Sequence, residues 1–220
     1  GTDALQSVST ADIRTWDMKK IIQSTINHYQ LSLHNTDSLK RTPVTIFDDV
    51  LISYTTETTN DKRLLRPTLY DFLSNRAVDF FMNEESGLTQ PAYKFDINST
   101  DYFLPAGEFA KMLLVTSDTL SLKYNAALIL KDIIAFHLSD IEPSALVDAD
   151  MKRLKFFRNH SVLEEKDNLY FTALNRLHKK YKTNSVSAEI AYEMALYLFD
   201  KGNKHNPLED TISLPYEEGR

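Results

Sequence analysis

The chain has 220 residues and a formal net charge of −6, and 42% of its residues are hydrophobic while 25% are charged. This composition can bury a core and differs from that of disordered segments. The negative charge disfavours nucleic acid as a partner, because phosphate binding needs a positive field. The sequence contains no cysteine, which excludes disulfides, thiolate metal sites and cysteine nucleophiles.

The first half of the chain is predicted to form helices joined by polar links. Residues 1–9 are polar and are predicted to be a loose leading segment, and Thr10 is the predicted N-cap of the first helix. The residues from Thr36 to Thr42 are interpreted as a connector. Pro67 to Met82 has the spacing of an amphipathic helix, with Pro67 suited to its first position.

That amphipathic helix has a predicted buried face and a predicted solvent face. The predicted buried face consists of apolar residues spaced three and four apart: Leu69, Phe72, Leu73, Ala77 and Phe80. The predicted solvent face consists of polar residues four apart: Asp71, Asn75 and Asp79.

Helices are also predicted through the second half of the chain. Asp118 is the predicted N-cap of a helix that runs to about Ser139 and is apolar on two faces. Pro143 begins the next helix, and Ser161 with Glu164 forms a capping-box pattern for the one after it.

The last two predicted helices indicate a repeat. Residues 168–202 have roughly the length of a tetratricopeptide helix pair, but the tryptophan, glycine and proline marks of that repeat are absent. The predicted fold class is therefore all-α, with antiparallel helix pairs stacked as a degenerate tetratricopeptide-like array. We predict a single helical domain over residues 10–202, and a lead-out over 203–220 into a following region.

One segment resembles a known protein family. It reads Arg-Pro-Thr-Leu-Tyr-Asp-Phe-Leu over residues 66–73 and Arg-Ala-Val-Asp-Phe-Phe over residues 76–81. This segment resembles one in the N-terminal region of bacterial alpha-2-macroglobulin-like proteins, ahead of their β-sandwich domains. Pro-Ala-Tyr at 91–93, Tyr-Phe at 102–103 and Pro-Ala at 105–106 are similar to the adjoining downstream segment in that family.

The resemblance implies a role for the chain within a much larger protein. Members of this family are large cell-envelope proteins that trap proteases, which implies a location in the periplasm or cell envelope. The family's thioester needs a cysteine, and this sequence has none, so no functional residue is carried over. The implied function is a non-catalytic helical scaffold or docking module. Its implied partners are other domains of the same large chain and, through them, envelope proteins or proteases.

The residues alone leave other functions open. Degenerate helix pairs also suit a stand-alone helical-repeat adaptor that binds a peptide or a protein. An enzyme is not indicated, because neither glycine-rich phosphate motif, nor Gly-x-Ser-x-Gly, nor His-Glu-x-x-His occurs. We therefore predict no catalytic residue, no cofactor and no metal ligand. The alternative is a metal or catalytic site whose residues are distant in sequence and come together only on folding.

Four aromatic residues are the candidates for a binding surface: Tyr93, Phe95, Tyr102 and Phe103. They lie close together in a stretch without clear helical periodicity. An aromatic-lined concavity suits a peptide or glycan ligand. The alternative is that these rings pack the loop onto the helices and belong to the core.

Overall fold

The computed structural model describes residues 12–51, 63–83 and 93–203. No strand occurs within these ranges, and the two bridges between extended residues, Pro43 with Thr68 and Ile97 with Ser161, are isolated. The all-α prediction is thereby confirmed, whereas the tetratricopeptide-like stacking stays a prediction. No helix in the described ranges has both the length and the apolar character needed to cross a bilayer.

The helices whose bounds lie within the described residues are as follows, in chain order. The α-helices are α1 (Met18–Ser32), α2 (Thr36–Arg41), α3 (Leu69–Phe81), α4 (Ala106–Phe109), α5 (Leu122–His137), α6 (Ser144–His160), α7 (Lys166–Lys180) and α8 (Ser187–Asn203). Short 3-10 helices cover Ile13–Thr15, Val44–Phe47 and Thr100–Phe103.

The described residues group into two compact units. The first unit contains those within residues 1–95 and 114–129, and the second those within 96–113 and 130–220. Helix α5 therefore begins in the first unit and ends in the second. The single domain over 10–202 stays a prediction. The loose segment over 1–9 and the lead-out over 203–220 also stay predictions, and all of their residues except Asn203 lie outside the described ranges.

Helix α1 begins later in the chain than the sequence pattern predicted. Its N-cap is Asp17, whose carboxylate accepts a hydrogen bond from the backbone N–H of Lys20 at 2.7 Å. Asp17 satisfies one of the donors of the first turn, which have no partner within the helix. The predicted N-cap, Thr10, lies outside the described residues.

The connector predicted from Thr36 to Thr42 is wrong, because α2 occupies most of it. This helix has Asp37 in its first turn and Lys40 and Arg41 in its last turn. An acid near the N-terminus and cations near the C-terminus stabilise a short helix through its dipole.

Helix α3 begins with a capping box. The Thr68 hydroxyl accepts the Asp71 backbone N–H at 3.2 Å, and the Asp71 carboxylate accepts the Thr68 backbone N–H at 2.9 Å. Thr68 is therefore the N-cap, and Pro67 precedes the helix instead of occupying its first position. The capping residues satisfy two first-turn donors reciprocally.

The faces of α3 match the prediction only in part, since Ala77 is buried and Asp79 is exposed as predicted. Asp71 is only 1% exposed and Asn75 is also buried, whereas Phe80, predicted to be buried, is 42% exposed. Asp71 is bonded in the capping box, and the Asn75 amide donates to the backbone carbonyl of Asp71 at 3.0 Å. Polar groups that are satisfied locally cost little to bury. The buried residues are Tyr70, Asp71, Ser74, Asn75, Ala77, Val78 and Phe81.

Arg153 of α6 is a fully buried cation in the second unit. Its Nε donates to the Asp150 carboxylate at 2.7 Å, and its two terminal nitrogens donate to the carbonyls of Tyr102 at 2.8 Å and Leu104 at 3.0 Å. Its guanidinium also lies over the Phe109 ring, 4.5 Å from the centroid. Burial lowers the pKa of Arg153, and the Asp150 carboxylate opposes that shift.

The carbonyls of residues 102, 103 and 104 are all bound by arginine. Arg153 binds the first and the third, and Arg176 of α7 donates to the carbonyl of Phe103 at 2.7 Å. These carbonyls lie at the end of the 3-10 helix, where the backbone provides few partners. The two arginines therefore fix this segment against α6 and α7.

Ser161 does not cap α7, so the predicted capping box with Glu164 is wrong. The hydroxyl of Ser161 is buried and donates to the carbonyl of Ile97 at 2.9 Å. The N-cap of α7 is Glu165, which makes no side-chain capping bond. The Ser161 hydroxyl donates to Ile97 and does not cap the next helix, because folding brings Ile97 beside it.

Helices α6, α7 and α8 meet around Arg158. Its guanidinium lies over the rings of Tyr170 and Tyr197, 5.1 Å and 5.0 Å from their centroids. Its Nε donates to the Asp167 carboxylate at 2.6 Å. Phe171 stacks on Tyr197 at 5.0 Å, so α7 and α8 pack against each other through aromatic rings.

Replacing Thr68 with alanine is expected to lower the free energy of unfolding by about 1 kcal/mol, because the capping box is lost. The Thr68→Ser variant retains the hydroxyl and is expected to lose much less. The measurement is urea denaturation followed by circular dichroism. A loss in Thr68→Ser as large as in Thr68→Ala would contradict the capping role.

Replacing Arg153 with alanine is expected to lower the free energy of unfolding by about 3–5 kcal/mol, since it leaves Asp150 buried without its partner. Lys155→Ala is the matched control on the same helix. Its ion pair with Glu193 is solvent-exposed on the lysine side, and its loss is expected to cost less than about 1 kcal/mol. Equal losses in the two variants, measured by the same denaturation, would refute the role assigned to Arg153.

Candidate binding groove

An open groove lies in the first unit, between α1, α3 and the 3-10 helix Ile13–Thr15. Its volume is about 390 Å³, and most of its surface is apolar. A cavity of this volume falls in the range of ligand pockets. The groove is lined by Ile13, Trp16, Ile21, Ser24, Thr25, His28, Tyr29, Ser32, Leu73 and Arg76.

The pattern of α1 explains why one of its faces lines the groove. Ile22 and Ile26 are buried and form the side of α1 that packs into the core. The groove residues of α1 begin at Ile21 and recur three or four positions apart on an adjacent face of the helix. The rim is open to solvent, with Ile13 64% exposed.

Three aromatic rings hold α1 against α3 beside the groove. The Tyr29 ring lies 5.2 Å from the Phe80 ring and 5.2 Å from the Phe81 ring, and Phe80 and Phe81 are 5.7 Å apart. Such edge-on and tilted contacts each add to the stabilisation from apolar burial. The position of Tyr29 in the groove lining therefore depends on α3.

Three polar groups of the groove lie at hydrogen-bond distance from the backbone of α1. The Thr25 hydroxyl donates to the carbonyl of Ile21 at 2.9 Å, and the Ser32 hydroxyl donates to the carbonyl of Tyr29 at 2.6 Å. Nδ1 of His28 lies 2.6 Å from the carbonyl oxygen of Ser24. These groups follow the i−3 and i−4 pattern of side-chain bonds in helices.

Arg76 is the one arginine or lysine of the lining, which contains no aspartate or glutamate. Its side chain is exposed, and its guanidinium lies 5.9 Å from the centroid of the Phe72 ring. The groove therefore combines an apolar body with a cation at its rim.

The four aromatic residues predicted as a binding surface do not share one environment. Tyr93 is 63% exposed, whereas Phe95, Tyr102 and Phe103 are buried. Tyr93 and Phe95 belong to the first unit, and Tyr102 and Phe103 to the second. Their role as a binding surface stays a prediction, and the burial of three agrees with the alternative that they are core residues.

The predicted N-cap of helix α5, Asp118, is wrong, because its carboxylate is bonded to Phe95. The ring of Phe95 packs on Tyr124 with centroids 5.4 Å apart, and the backbone N–H of Phe95 donates to the Asp118 carboxylate at 3.1 Å. Asp118 therefore does not cap the helix, which begins at Leu122. The Ser121 hydroxyl accepts the backbone N–H of Tyr124 at 3.2 Å in its place.

Sequence reasoning did not identify the groove. The groove residues Ile13, Trp16, Ile21 and Tyr29 follow the predicted N-cap Thr10, and the prediction does not separate them from the residues that pack into the core. The available signal was a second apolar stripe on α1, offset from Ile22 and Ile26. The groove also needs Leu73 and Arg76 of α3, which no local pattern places beside α1.

A second exposed apolar surface lies on α8 in the second unit. Tyr192, Leu196 and Phe199 are exposed and stand four and three residues apart, which places them on one face. Ile190 and Tyr197 are buried on the opposite side of the same helix. Helix α8 is thus apolar on two faces, and only one is covered within the described residues.

No protein-family model, curated protein or solved structure matches this chain. Within the described residues, no group of three or more histidine, aspartate or glutamate side chains is placed to hold a metal ion.

Acidic side chains lie close together on α6 and α8. Partial desolvation raises the pKa of Glu189, and the carboxylates of Asp148 and Glu193 raise it further. The neutral form of Glu189 is therefore favoured by folding. Below the ordinary pKa of 4.5, Glu189 is neutral and does not destabilise the fold. As the pH rises through the raised pKa, Glu189 becomes charged and the free energy of unfolding decreases.

Glu189→Gln is expected to increase the free energy of unfolding at pH 7 by less than about 1 kcal/mol, because it removes a disfavoured charge. The gain should disappear as the pH falls below 4.5. Urea denaturation at both pH values measures it. In an Asp148→Asn background the gain should be smaller, and an unchanged gain at every pH would contradict the charge interaction.

Proposed function

We propose that the chain is a non-catalytic helical scaffold that docks a protein partner at the groove between α1 and α3. The observation that supports this is the open apolar groove, whose hydroxyl groups on Thr25 and Ser32 are bonded to their own helix. Acid–base or nucleophilic chemistry needs a nucleophile held beside a base. Ser24 Oγ lies 3.4 Å from Nδ1 of His28, but that nitrogen also lies 2.6 Å from the Ser24 carbonyl oxygen. A carbonyl oxygen only accepts, so Nδ1 is the donor in that contact and is no base for the Ser24 hydroxyl. An apolar surface that is open to solvent suits a partner's side chains.

We also propose that the chain belongs to a large alpha-2-macroglobulin-like cell-envelope protein in the periplasm or envelope. This rests on the resemblance of residues 66–81, most of which form α3 and two of which, Leu73 and Arg76, line the groove. Protease trapping would belong to parts outside these residues. The absence of cysteine means that the thioester of that family cannot form here.

The second candidate function is a stand-alone helical-repeat adaptor. The observations that favour it are the packing of α7 on α8 and the exposed face formed by Tyr192, Leu196 and Phe199. Repeat proteins bury such faces against neighbouring repeats or partners. The two functions differ in whether the full-length protein captures proteases. A macroglobulin-like protein is expected to do so, whereas a stand-alone adaptor is not.

In the native gene product, deletion of residues 12–203 is expected to leave protease capture intact and to abolish contacts with docking partners. Capture is measured as retention of a model protease in a complex on gels, and partner contacts by cross-linking and mass spectrometry. The full-length Leu73→Glu variant is the matched test, since it places a charge in the groove. It should lose the same partner contacts as the deletion.

Two results would count against the docking function. Loss of protease capture in a truncated protein whose remaining domains are folded would show that this module takes part in capture. Unchanged cross-links in Leu73→Glu would show that docking does not use the groove.

A further inference from the structure

We propose that the groove takes an apolar side chain of a peptide segment that carries a carboxylate beside it, with Arg76 as the counter-ion. This inference rests on the proposed docking function and adds the chemistry of the partner. Its basis is the openness of the groove, the charge of its lining and the contacts of its polar groups.

The openness of the groove favours a peptide over a small molecule. Ile13 and Ile21 at the rim are exposed, so a bound group stays in contact with solvent on one side. Sites for small molecules enclose most of the ligand surface. A volume of about 390 Å³ accommodates one or two side chains while the rest of a peptide lies outside.

The charge of the lining favours an acidic partner. Arg76 brings a permanent positive charge, and none of the ten lining residues is acidic. Among the described residues, the guanidinium contacts the Phe72 ring and forms no ion pair. A planar guanidinium binds a carboxylate through two parallel hydrogen bonds, which makes Arg76 selective for that group.

Three of the other polar groups of the groove are engaged with the backbone of α1, and Arg76 is the permanently charged group of the lining. The hydroxyls of Thr25 and Ser32 donate to backbone carbonyls of α1, and Nδ1 of His28 lies at hydrogen-bond distance from another. A bound segment therefore gains affinity from apolar contact with Trp16 and Leu73. It gains selectivity from the one exposed guanidinium.

The test uses the fluorescence of Trp16, the single tryptophan of the chain, which lines the groove. The full chain is titrated with acetyl-Asp-Leu-Phe-Asp-amide and with its neutral counterpart acetyl-Asn-Leu-Phe-Asn-amide. The acidic peptide is expected to bind roughly fivefold more tightly at low salt, the effect of one exposed charge pair. This preference should shrink as salt is added.

Variants at Arg76 and Leu73 separate charge from apolar docking. Arg76→Gln should bind both peptides with the affinity of the neutral one, and Arg76→Lys should retain part of the preference. Leu73→Glu should bind neither peptide, with circular dichroism confirming that its helices are intact. Because Arg76 is exposed, its variants are expected to fold as the wild type does.

Distinct results would overturn this inference. Equal binding of both peptides to the wild type, or a preference that persists in Arg76→Gln, would refute the role of Arg76 and leave the docking function in place. Absence of binding by both peptides would refute the proposed peptide chemistry, while the docking function would still be decided by the cross-links of the Leu73→Glu variant. Binding that appears only after removal of residues 1–11, or dimerisation that Leu73→Glu abolishes, would identify the occupant as this chain itself.

Discussion

The buried guanidinium of Arg153 is the constraint on which the second unit depends. Removing a cation from water is costly unless its N–H groups find hydrogen-bond acceptors in the protein. The guanidinium of Arg153 donates to the Asp150 carboxylate and to the carbonyls of Tyr102 and Leu104. Arg176 binds the carbonyl between them. Because three consecutive carbonyls are fixed in this way, Tyr102 and Phe103 are held in the core.

In the first unit, the orientation of α3 determines what the groove can bind. The helix buries Asp71 and Asn75 because their polar groups are satisfied by their own turn. Leu73 and Arg76 lie outside this buried face and line the groove. Phe80 is partly exposed and packs beside Tyr29. The contribution of α3 to the groove therefore comes from side chains outside its fully buried face.

Helical periodicity predicts the fold class because apolar spacing is a local property of the chain. It does not predict which polar residue caps a helix, since Asp118 bonds to Phe95 and Ser161 to Ile97, far away in sequence. The groove could not be predicted for the same reason, because it combines α1 with α3. The alternation of apolar and polar residues also places Asp71 in solvent. It does not account for a carboxylate that is satisfied by the backbone N–H of Thr68 in the capping box.

A docking module of an alpha-2-macroglobulin-like protein differs from a stand-alone adaptor most directly in the size of the gene product. The decisive measurement is the intact mass of the native product, with peptide mapping beyond Arg220. The proposed function predicts a mass many times the 25.3 kDa of these residues, with β-sandwich segments in the additional chain. A product that ends near Arg220 would contradict it and leave the adaptor as the better account.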